Sequence, residues 1–334
     1  HNANRQTKKQ IDDIEKFIAD KVDVIIVSPF ESDSIIPVIE KANAIGIPVI
    51  IVDRKVNTSN YTAYLGADNV EVGRIAGRHI VSLSEGNANV IEIKGASYTS
   101  PGLERTMGFR QIIDQYPGVK VISIDAKKDE LPKDVFVNIL KNAPEINYVF
   151  AYNDIIAYQA WKVAKGEKTK NKIKFIGVDG LNGPNGGIQL VQDGILEATI
   201  LYPTGGSEAI KLALKIANKE IVPKNNKLNT ILINSLNADI MSNQFDKITI
   251  QQSDIEQQQA IIRDQEEKYS SQSNLLKLLF SLFILTLGLA IFSIYSRITI
   301  SRKKKELEEK NKKIKSQRNE IKNFSEELKK SNEA

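Results

Sequence analysis

An uncharged apolar segment of nineteen residues, 278–296 (LLFSLFILTLGLAIFSIYS), constrains the fold more than any other feature of the chain. An α-helix rises about 1.5 Å per residue, so a helix of this length matches the roughly 30 Å hydrocarbon core of a bilayer. Arg297 and the basic run 302–305 follow at once and mark the cytoplasmic end of a span. The alternative, a buried core helix, would need an amphipathic partner pattern, and the sequence has none. We therefore predict a single-pass membrane protein with residues 1–274 outside and 297–334 inside.

The charge distribution argues against a nucleic-acid-binding surface. Residues 297–334 contain 13 Lys and Arg against 7 Asp and Glu, and the rest of the chain contains 33 against 34. The excess positive charge thus belongs to the cytoplasmic tail, where it suits anionic lipid. The chain has no cysteine, and its two histidines are His1 and His79, so we expect no disulfide, no metal site and no cofactor.

The outer part alternates apolar strand patterns with helical patterns, which predicts an α/β fold. Helices are predicted at 33–45, 70–84 and 103–116, and the strand candidates are residues 22–29, 46–53, 88–95, 119–126, 146–153, 173–180 and 196–203. Nearly continuous β-branched runs of this kind are typical of parallel strands that are covered on both faces. The pattern predicts two Rossmann-like lobes with parallel sheets.

The start of the chain does not complete that pattern. It opens on a helix-forming segment with no strand before it, no initiator Met and no signal peptide. We therefore expect a fragment that lacks the first β-α-β unit of its fold and that also stops before an output domain.

Polar side chains stand at the C-terminal ends of successive strands, where open parallel sheets bind ligands. They are Ser28, Asp53, Arg54, Asn153, Asp179 and Tyr202, and Arg105 joins them at the start of a helix. Carboxylates, amides and guanidinium groups that converge on one cleft suit a neutral polyol, because each sugar hydroxyl both donates and accepts hydrogen bonds. Each residue taken alone could instead be a helix N-cap or a solvated charge.

At these positions the sequence resembles the ribose-type periplasmic sugar-binding family, whose fold is shared with Lac-repressor cores. The stretches that carry the resemblance are IPVIIVDR, GADNVEVGRIAG, VIEIKGASYTSPGLERTMGF, VFAYNDIIAYQAW and FIGVDG. The resemblance covers roughly residues 2–240 and implies a type I periplasmic-binding fold. It also implies that Asp53, Arg54, Arg105, Asn153 and Asp179 bind the sugar, while Ser28 and Tyr202 are contact positions with changed side chains.

Three features depart from the family pattern. Lys128 stands where the family has an aromatic stacking residue, and Val178 stands where the family has an aromatic residue before the aspartate. The loop at residues 180–189 (GLNGPNGGIQ) is longer than the usual turn, which predicts a reshaped cleft rim. These departures leave open which pentose or hexose binds.

Heptad repeats flank the apolar segment on both sides. Ile248, Ile255, Ile262, Tyr269 and Leu276 recur every seven residues before it, and Ile300, Leu307, Ile314, Ile321 and Leu328 do so after it. Such a repeat predicts a left-handed supercoil and a parallel homodimer. A solvated helix with incidental spacing is the alternative.

This architecture resembles the sensor part of a hybrid two-component receptor. The predicted segments are a sugar-binding domain (1–240), a periplasmic stalk helix (241–274), a transmembrane helix (275–296) and a cytoplasmic coiled-coil signalling helix (297–334). In that family the coil leads to a histidine kinase, so the expected partners are a sugar, the bacterial inner membrane, a second copy of the chain and a kinase. A membrane-tethered receptor for a transporter is the alternative. The sequence contains neither a helix-turn-helix nor a catalytic motif such as G-x-S-x-G, which argues against a repressor or an enzyme.

Overall fold

The structure, a computed structural model, describes residues 1–126, 130–143, 145–167 and 172–332. These residues form two units: a two-lobed α/β unit that ends at Thr249 and a helical unit that starts at Ile250.

The first lobe is built on a four-stranded parallel sheet with the order β1-β2-β3-β9. Its strands are β1 (Ile25–Val27), β2 (Val49–Val52), β3 (Ala63–Ala67) and β9 (Asn225–Leu228). Helices α1 (Thr7–Ala19) and α2 (Ile36–Ala44) cover one face of the sheet, and α8 (Gly206–Ala217) covers the other. The four residues of β2 are therefore all buried and apolar, as expected for a strand with both faces covered.

The second lobe is built on a six-stranded sheet with the order β10-β8-β7-β6-β4-β5. Its strands are β4 (Ala88–Lys94), β5 (Val119–Asp125), β6 (Tyr148–Ala151), β7 (Lys174–Asp179), β8 (Ala198–Leu201) and β10 (Ile231–Asn234). Helices α3 (Asn69–Ser84) and α4 (Ser100–Ile113) pack on one face, and α5 (Lys133–Asn142), α6 (Asp154–Gly166) and α7 (Gly187–Gln192) pack on the other. The edge strand β10 is antiparallel to β8, whereas the remaining pairs are parallel.

The chain passes between the two sheets three times, after β3, after β8 and after β9. These crossings bring the C-terminal ends of strands from both sheets to one cleft. Close packing of α3 on α4 then fixes the wall of this cleft. A Cβ atom at Gly73 would collide with the carbonyl oxygen of Arg105, so only glycine allows this approach.

A strand lies within each of the seven predicted segments, which confirms the α/β prediction. Strands β3, β9 and β10 were not predicted. Two asparagines and a lysine in β9 (NNKL) remove the apolar run that marks a buried strand, and its side chains are exposed or half-buried. The prediction of parallel sheets is correct apart from β10.

Helix α9 (Ala238–Asn332) begins in the first unit and forms the second. Its first turns pack Met241 and Phe245 against the core of the second lobe. Farther along, the helix contains an 18-residue window with a mean hydropathy of 2.4, none of which is buried. It is therefore a candidate membrane span. The residues predicted as stalk, span and coil lie in this one helix as far as Asn332.

Candidate functional site

A cavity of about 500 Å³ lies between the two lobes at the C-terminal ends of their strands. All seven predicted site residues line it: Ser28, Asp53, Arg54, Arg105, Asn153, Asp179 and Tyr202. The structure also brings Arg5, Phe30, Tyr98, Tyr152 and Leu181 to its wall, none of which was predicted. Lys128 lies outside the described residues. Val178, the other departure from the family pattern, is fully buried among the apolar side chains between the sheet and α3, so it has no access to the cavity.

The first lobe presents Asp53 on a backbone of unusual geometry. Asp53 directly follows β2 and has a φ of 66°, a left-handed conformation that is rare outside glycine. Its backbone N–H donates to the Leu65 carbonyl, and its own carbonyl oxygen accepts from the hydroxyls of Tyr64 (2.9 Å) and Tyr202 (3.1 Å). Such strain persists only where the surroundings fix it, and it is common at ligand sites.

Two neighbours hold the Asp53 carboxylate in the cavity. The Ser28 hydroxyl lies 3.5 Å from one carboxylate oxygen, and Nε of Arg54 lies 3.9 Å from the same atom. The Arg54 guanidinium also donates to the carbonyl of Phe30 at 3.1 Å. Arg54 and Asp53 keep about a third of each side chain exposed, so both remain accessible to a ligand.

The second lobe presents Arg105, which is 5% exposed. Its Nε donates to the side-chain oxygen of Asn69 at 2.9 Å, and Nη1 donates to the carbonyl of Tyr152 at 2.5 Å. Nη1 also lies 3.5 Å from Asp179, and the guanidinium stacks over the ring of Tyr202 at 4.9 Å. Arg105 therefore sits in the wall of the cavity with its orientation fixed by four partners.

Asn69 is a residue that sequence reasoning missed. It is fully buried at the start of α3, accepts from Arg105 and donates from Nδ2 to the Tyr202 hydroxyl at 3.3 Å. It thus links the side chains of Arg105 and Tyr202. Polar residues are common in the first turn of a helix, and Asn69 directly follows the N-cap Asp68, so the sequence carries no signal for this role.

Asp179 and Asn153 occupy the ends of β7 and β6. Asp179 has a φ of 116°, again a strained value for a residue with a side chain. Asn153 is the N-cap of α6, with its side-chain oxygen accepting from the Ile156 N–H at 2.9 Å. Because that oxygen is engaged, the amide nitrogen of Asn153 is the group suited to a ligand.

A buried carboxyl group, that of Asp154, supports this end of the site. Asp154 accepts hydrogen bonds from the Thr199 hydroxyl (2.7 Å) and the Gly180 N–H (2.8 Å), so it fixes the backbone directly after Asp179. Burial, together with the nearby charge of Asp179, raises the pKa of Asp154 to about 8. Burial also raises the pKa of Asp179 to about 6, although Arg105 opposes this shift.

Tyr202 has a positioning role in this structure. Its hydroxyl donates to the backbone carbonyl of Asp53 and accepts from the Asn69 amide, and burial raises its pKa, so the phenol stays neutral. Its ring lies under the Arg105 guanidinium. It therefore connects the two lobes at the floor of the cavity.

Contacts also cross between the lobes at the cavity rim. Lys55 of the first lobe pairs with Glu104 of α4 at 2.8 Å, and its backbone N–H donates to the Ser100 hydroxyl at 2.7 Å. The rings of Phe30 and Tyr98 approach from opposite lobes, with their centroids 6.0 Å apart. The cavity thus combines paired charges with two aromatic faces. These groups suit a neutral polyhydroxyl ligand, whose hydroxyls can bond to the charged groups and whose C–H faces can pack on the rings.

Comparison with known proteins identifies the class that this fold and site define. The family model described as periplasmic binding protein domain matches residues 1–221, which is most of the α/β unit. The chain belongs to this periplasmic-binding-protein family. The fold of the family binds sugars and is not enzymatic.

Individual relatives agree with that assignment. The ribose import binding protein of Bacillus subtilis is 31% identical over 60% of this chain, and that of Escherichia coli is 30% identical over 66%. The chain spans 64% of the length of the first relative and 74% of the second. Together with the apolar helix, these findings indicate a membrane-anchored periplasmic protein.

Solved structures give the same fold. The fructose-binding periplasmic domain of a hybrid two-component system is 37% identical with a TM-score of 0.72, covering 75% of this chain and 85% of that one. A solute-binding protein of an ABC transporter from Bacillus halodurans, with bound myo-inositol, is 25% identical with a TM-score of 0.67, covering 72% and 84%.

Proposed function

We propose that this chain is the sensor portion of a transmembrane two-component receptor that binds a monosaccharide in the periplasm. The ligand would be a pentose or hexose of the fructose or ribose type. The observation that carries the proposal is the convergence of all seven predicted polar residues on one cavity between the lobes. The likeness to a fructose-binding domain of a hybrid two-component system supports both the ligand class and the sensor role.

In the proposed complex the sugar lies between the two lobes. Arg54 and Arg105 donate hydrogen bonds to its hydroxyl oxygens, while Asp53 and Asp179 accept from its hydroxyl hydrogens. Phe30 and Tyr98 would face its C–H surface. Because each lobe supplies part of this set, the sugar binds the closed arrangement best and shifts the equilibrium towards it.

Calorimetry of the full chain in nanodiscs, against a panel containing D-fructose and D-ribose, tests this binding site. We expect R54A and D179A to weaken binding of the best sugar by roughly ten- to a hundredfold, since a hydrogen bond to a charged group contributes about 1.5–3 kcal/mol. The control is R78A, because Arg78 pairs with Glu71 on α3 and is half exposed. Unchanged affinity in both site variants would contradict the assignment, as would an absence of binding to every sugar in the panel.

The proposed arrangement places residues 1–274 in the periplasm, 275–296 in the inner membrane as a single pass, and 297–334 in the cytoplasm. Residues 1–240 would form the sugar-binding domain, and 241–274 would be a stalk helix that leads to the span. The uninterrupted helix α9 and its apolar window support this order. The basic residues that follow the window support its orientation.

We further propose that two chains pair along α9 as a parallel homodimer and pass lobe closure to cytoplasmic kinase domains. The heptad residues Ile255, Ile262 and Leu276 are each about half exposed or more, which leaves an apolar stripe for a second copy. A stripe with one apolar residue per heptad gives two coil arrangements similar energies, which suits a switch.

Single cysteines test the topology and the pairing together, because the native chain contains none. The I255C variant should react with a membrane-impermeant maleimide in spheroplasts, and it should form disulfide-linked dimers. The I314C variant should not react with the maleimide, because residue 314 is proposed to lie in the cytoplasm. The dimer yield at I255C should change when fructose is added. Labelling of I314C from outside would contradict the proposed topology, and a lack of dimers at every stalk position would contradict the proposed pairing of the stalk helices.

A membrane-tethered receptor that serves a transporter is the second candidate, because the sequence relatives include ribose import binding proteins. The cysteine experiment separates the two roles. A tethered receptor would bind sugar without any sugar-dependent change in cross-linking along the stalk.

A further inference from the structure

The loop between β7 and α7, residues 180–186, joins the ligand cavity to the first turns of α9. Asp179 at the end of β7 and Leu181 in the loop both line the cavity. Asn182, the next residue, makes its side-chain hydrogen bonds with α9 instead. One short segment therefore contacts the site on one side and the long helix on the other.

The contact between Asn182 and the helix uses both ends of its amide. Nδ2 donates to a carboxylate oxygen of Asp246 at 2.8 Å, and the side-chain oxygen accepts from the Ser242 hydroxyl at 3.3 Å. Ser242 and Asp246 are four residues apart and so lie on the same face of α9. A planar amide held at both ends fixes the position of the loop along the helix as well as its distance from it.

The loop is stiff enough to transmit a displacement. Asp154 holds the Gly180 N–H, and the Leu181 carbonyl accepts from the Ile188 N–H at 3.2 Å. The Gly186 N–H donates to the Gly183 carbonyl at 2.9 Å, which closes a turn over the last four residues of the loop. Because hydrogen bonds fix the backbone at both ends of this segment, a ligand that moves Leu181 also moves Asn182.

Other contacts tie the same turns of α9 to the second lobe away from the cavity. Phe245 packs on the lobe core, and Gln192 donates to Asp239 at 2.9 Å. These contacts make the first turns of α9 part of the lobe, and none of the residues in them lines the cavity. Asn182 differs from them because it stands next to a residue in the cavity wall.

We propose that Asn182 is the positioning residue that couples occupancy of the sugar site to helix α9. This inference rests on the proposed function, since it requires a sugar to contact Asp179 and Leu181. Sugar binding would shift the loop through Leu181, and the amide of Asn182 would pass that shift to Ser242 and Asp246. Loss of the amide should leave binding intact while it separates the helix from the site.

Hydrogen–deuterium exchange of the full chain in nanodiscs, with and without saturating D-fructose, tests the coupling. In the wild type, fructose should slow exchange in two peptides, one covering residues 180–188 and one covering 238–249. In N182A the first peptide should respond as before, while the response of the second should fall to less than a third. Calorimetry should show fructose affinity within about threefold of the wild type.

Two further variants give this experiment its controls. N243A removes an exposed asparagine from the same turn of α9 and should keep the full response of residues 238–249. N182D alone places a carboxylate opposite the carboxylate of Asp246, and the repulsion should abolish the response of residues 238–249. The double variant N182D/D246N restores a hydrogen bond between an amide and a carboxylate, so it should restore that response.

The outcomes separate the coupling from the binding. A full response of residues 238–249 in N182A, or a failure of N182D/D246N to restore it, would overturn the role of Asn182 while sugar binding stands. No response in either wild-type peptide despite measured binding would also overturn it. If calorimetry detects no sugar, the proposed function itself fails and the coupling fails with it.

Discussion

R105A is expected to abolish measurable sugar binding and to lower the free energy of unfolding by about 2–4 kcal/mol. The substitution removes the cation beside Asp179, whose carboxylate is about a third exposed in the cavity wall and would lose its ion-pair partner. Asn69 and the Tyr152 carbonyl would each lose a partner as well. Calorimetry with D-fructose, and thermal unfolding followed by the fluorescence of Trp161, measure the two effects.

A second arginine on the same helix provides the matched control for R105A. Arg110 also pairs with a buried carboxylate, Glu92, at 2.9 Å, but it does not line the cavity. R110A should therefore lower stability and leave sugar affinity unchanged. R105K should fall between R105A and the wild type, because lysine keeps the charge and loses the planar fork. If R105A bound fructose within threefold of the wild type, Arg105 would have no part in recognition.

The polar residues at strand ends could be predicted because the topology of parallel sheets brings those ends together. Asp53 and Asp179 follow apolar runs that are unmistakable in the sequence, and both line the cavity. Their strained φ values could not be predicted, because the surrounding fold imposes them on residues that rarely adopt them. Contact of these residues with sugar stays a prediction.

The residues that were missed depend on contacts distant in sequence. Asn69 acts through Arg105 and Tyr202, the latter 133 positions away, so no local pattern reveals it. Phe30 and Tyr98 come from different lobes, and neither belongs to an apolar strand. Strand β9 was missed for the same reason: its pairing with β3 joins residues about 160 positions apart, and its composition is polar.

The stability of the α/β unit is expected to fall as pH rises from 6 to 8, and D154N should remove most of that loss. Burial raises the pKa of Asp154 to about 8 in the folded chain, against an ordinary value of 3.8. Between these values the folded state binds more protons than the unfolded state, so stability is highest at the acidic end and declines as pH rises. One such group contributes at most about 1.4 kcal/mol per pH unit, or about 2 kcal/mol over this interval.

The interval from pH 6 to 8 is chosen because the titration of Asp179 changes the stability mainly below pH 6. The pKa of Asp179, raised to about 6, gives a loss of the same sign, mainly between pH 4 and 6. Asparagine at position 154 resembles the protonated acid. Its oxygen can accept from the Gly180 N–H while its amide donates to the Thr199 hydroxyl, which can switch roles. The D154N curve should therefore keep the decline below pH 6 and flatten above it.

Thermal unfolding at pH 5, 6, 7 and 8 in nanodiscs, with Trp161 fluorescence as the signal, measures these curves. Trp161 is the single tryptophan of the chain and lies on α6, the helix that begins at Asp154. D154A serves as the control, because it leaves the Gly180 N–H and the Thr199 hydroxyl without the carboxyl group and should be less stable than D154N at every pH by about 1–3 kcal/mol. Parallel curves for the wild type and D154N above pH 6 would mean that Asp154 is already ionised there, and that the hydrogen bonds from Thr199 and Gly180 outweigh its burial.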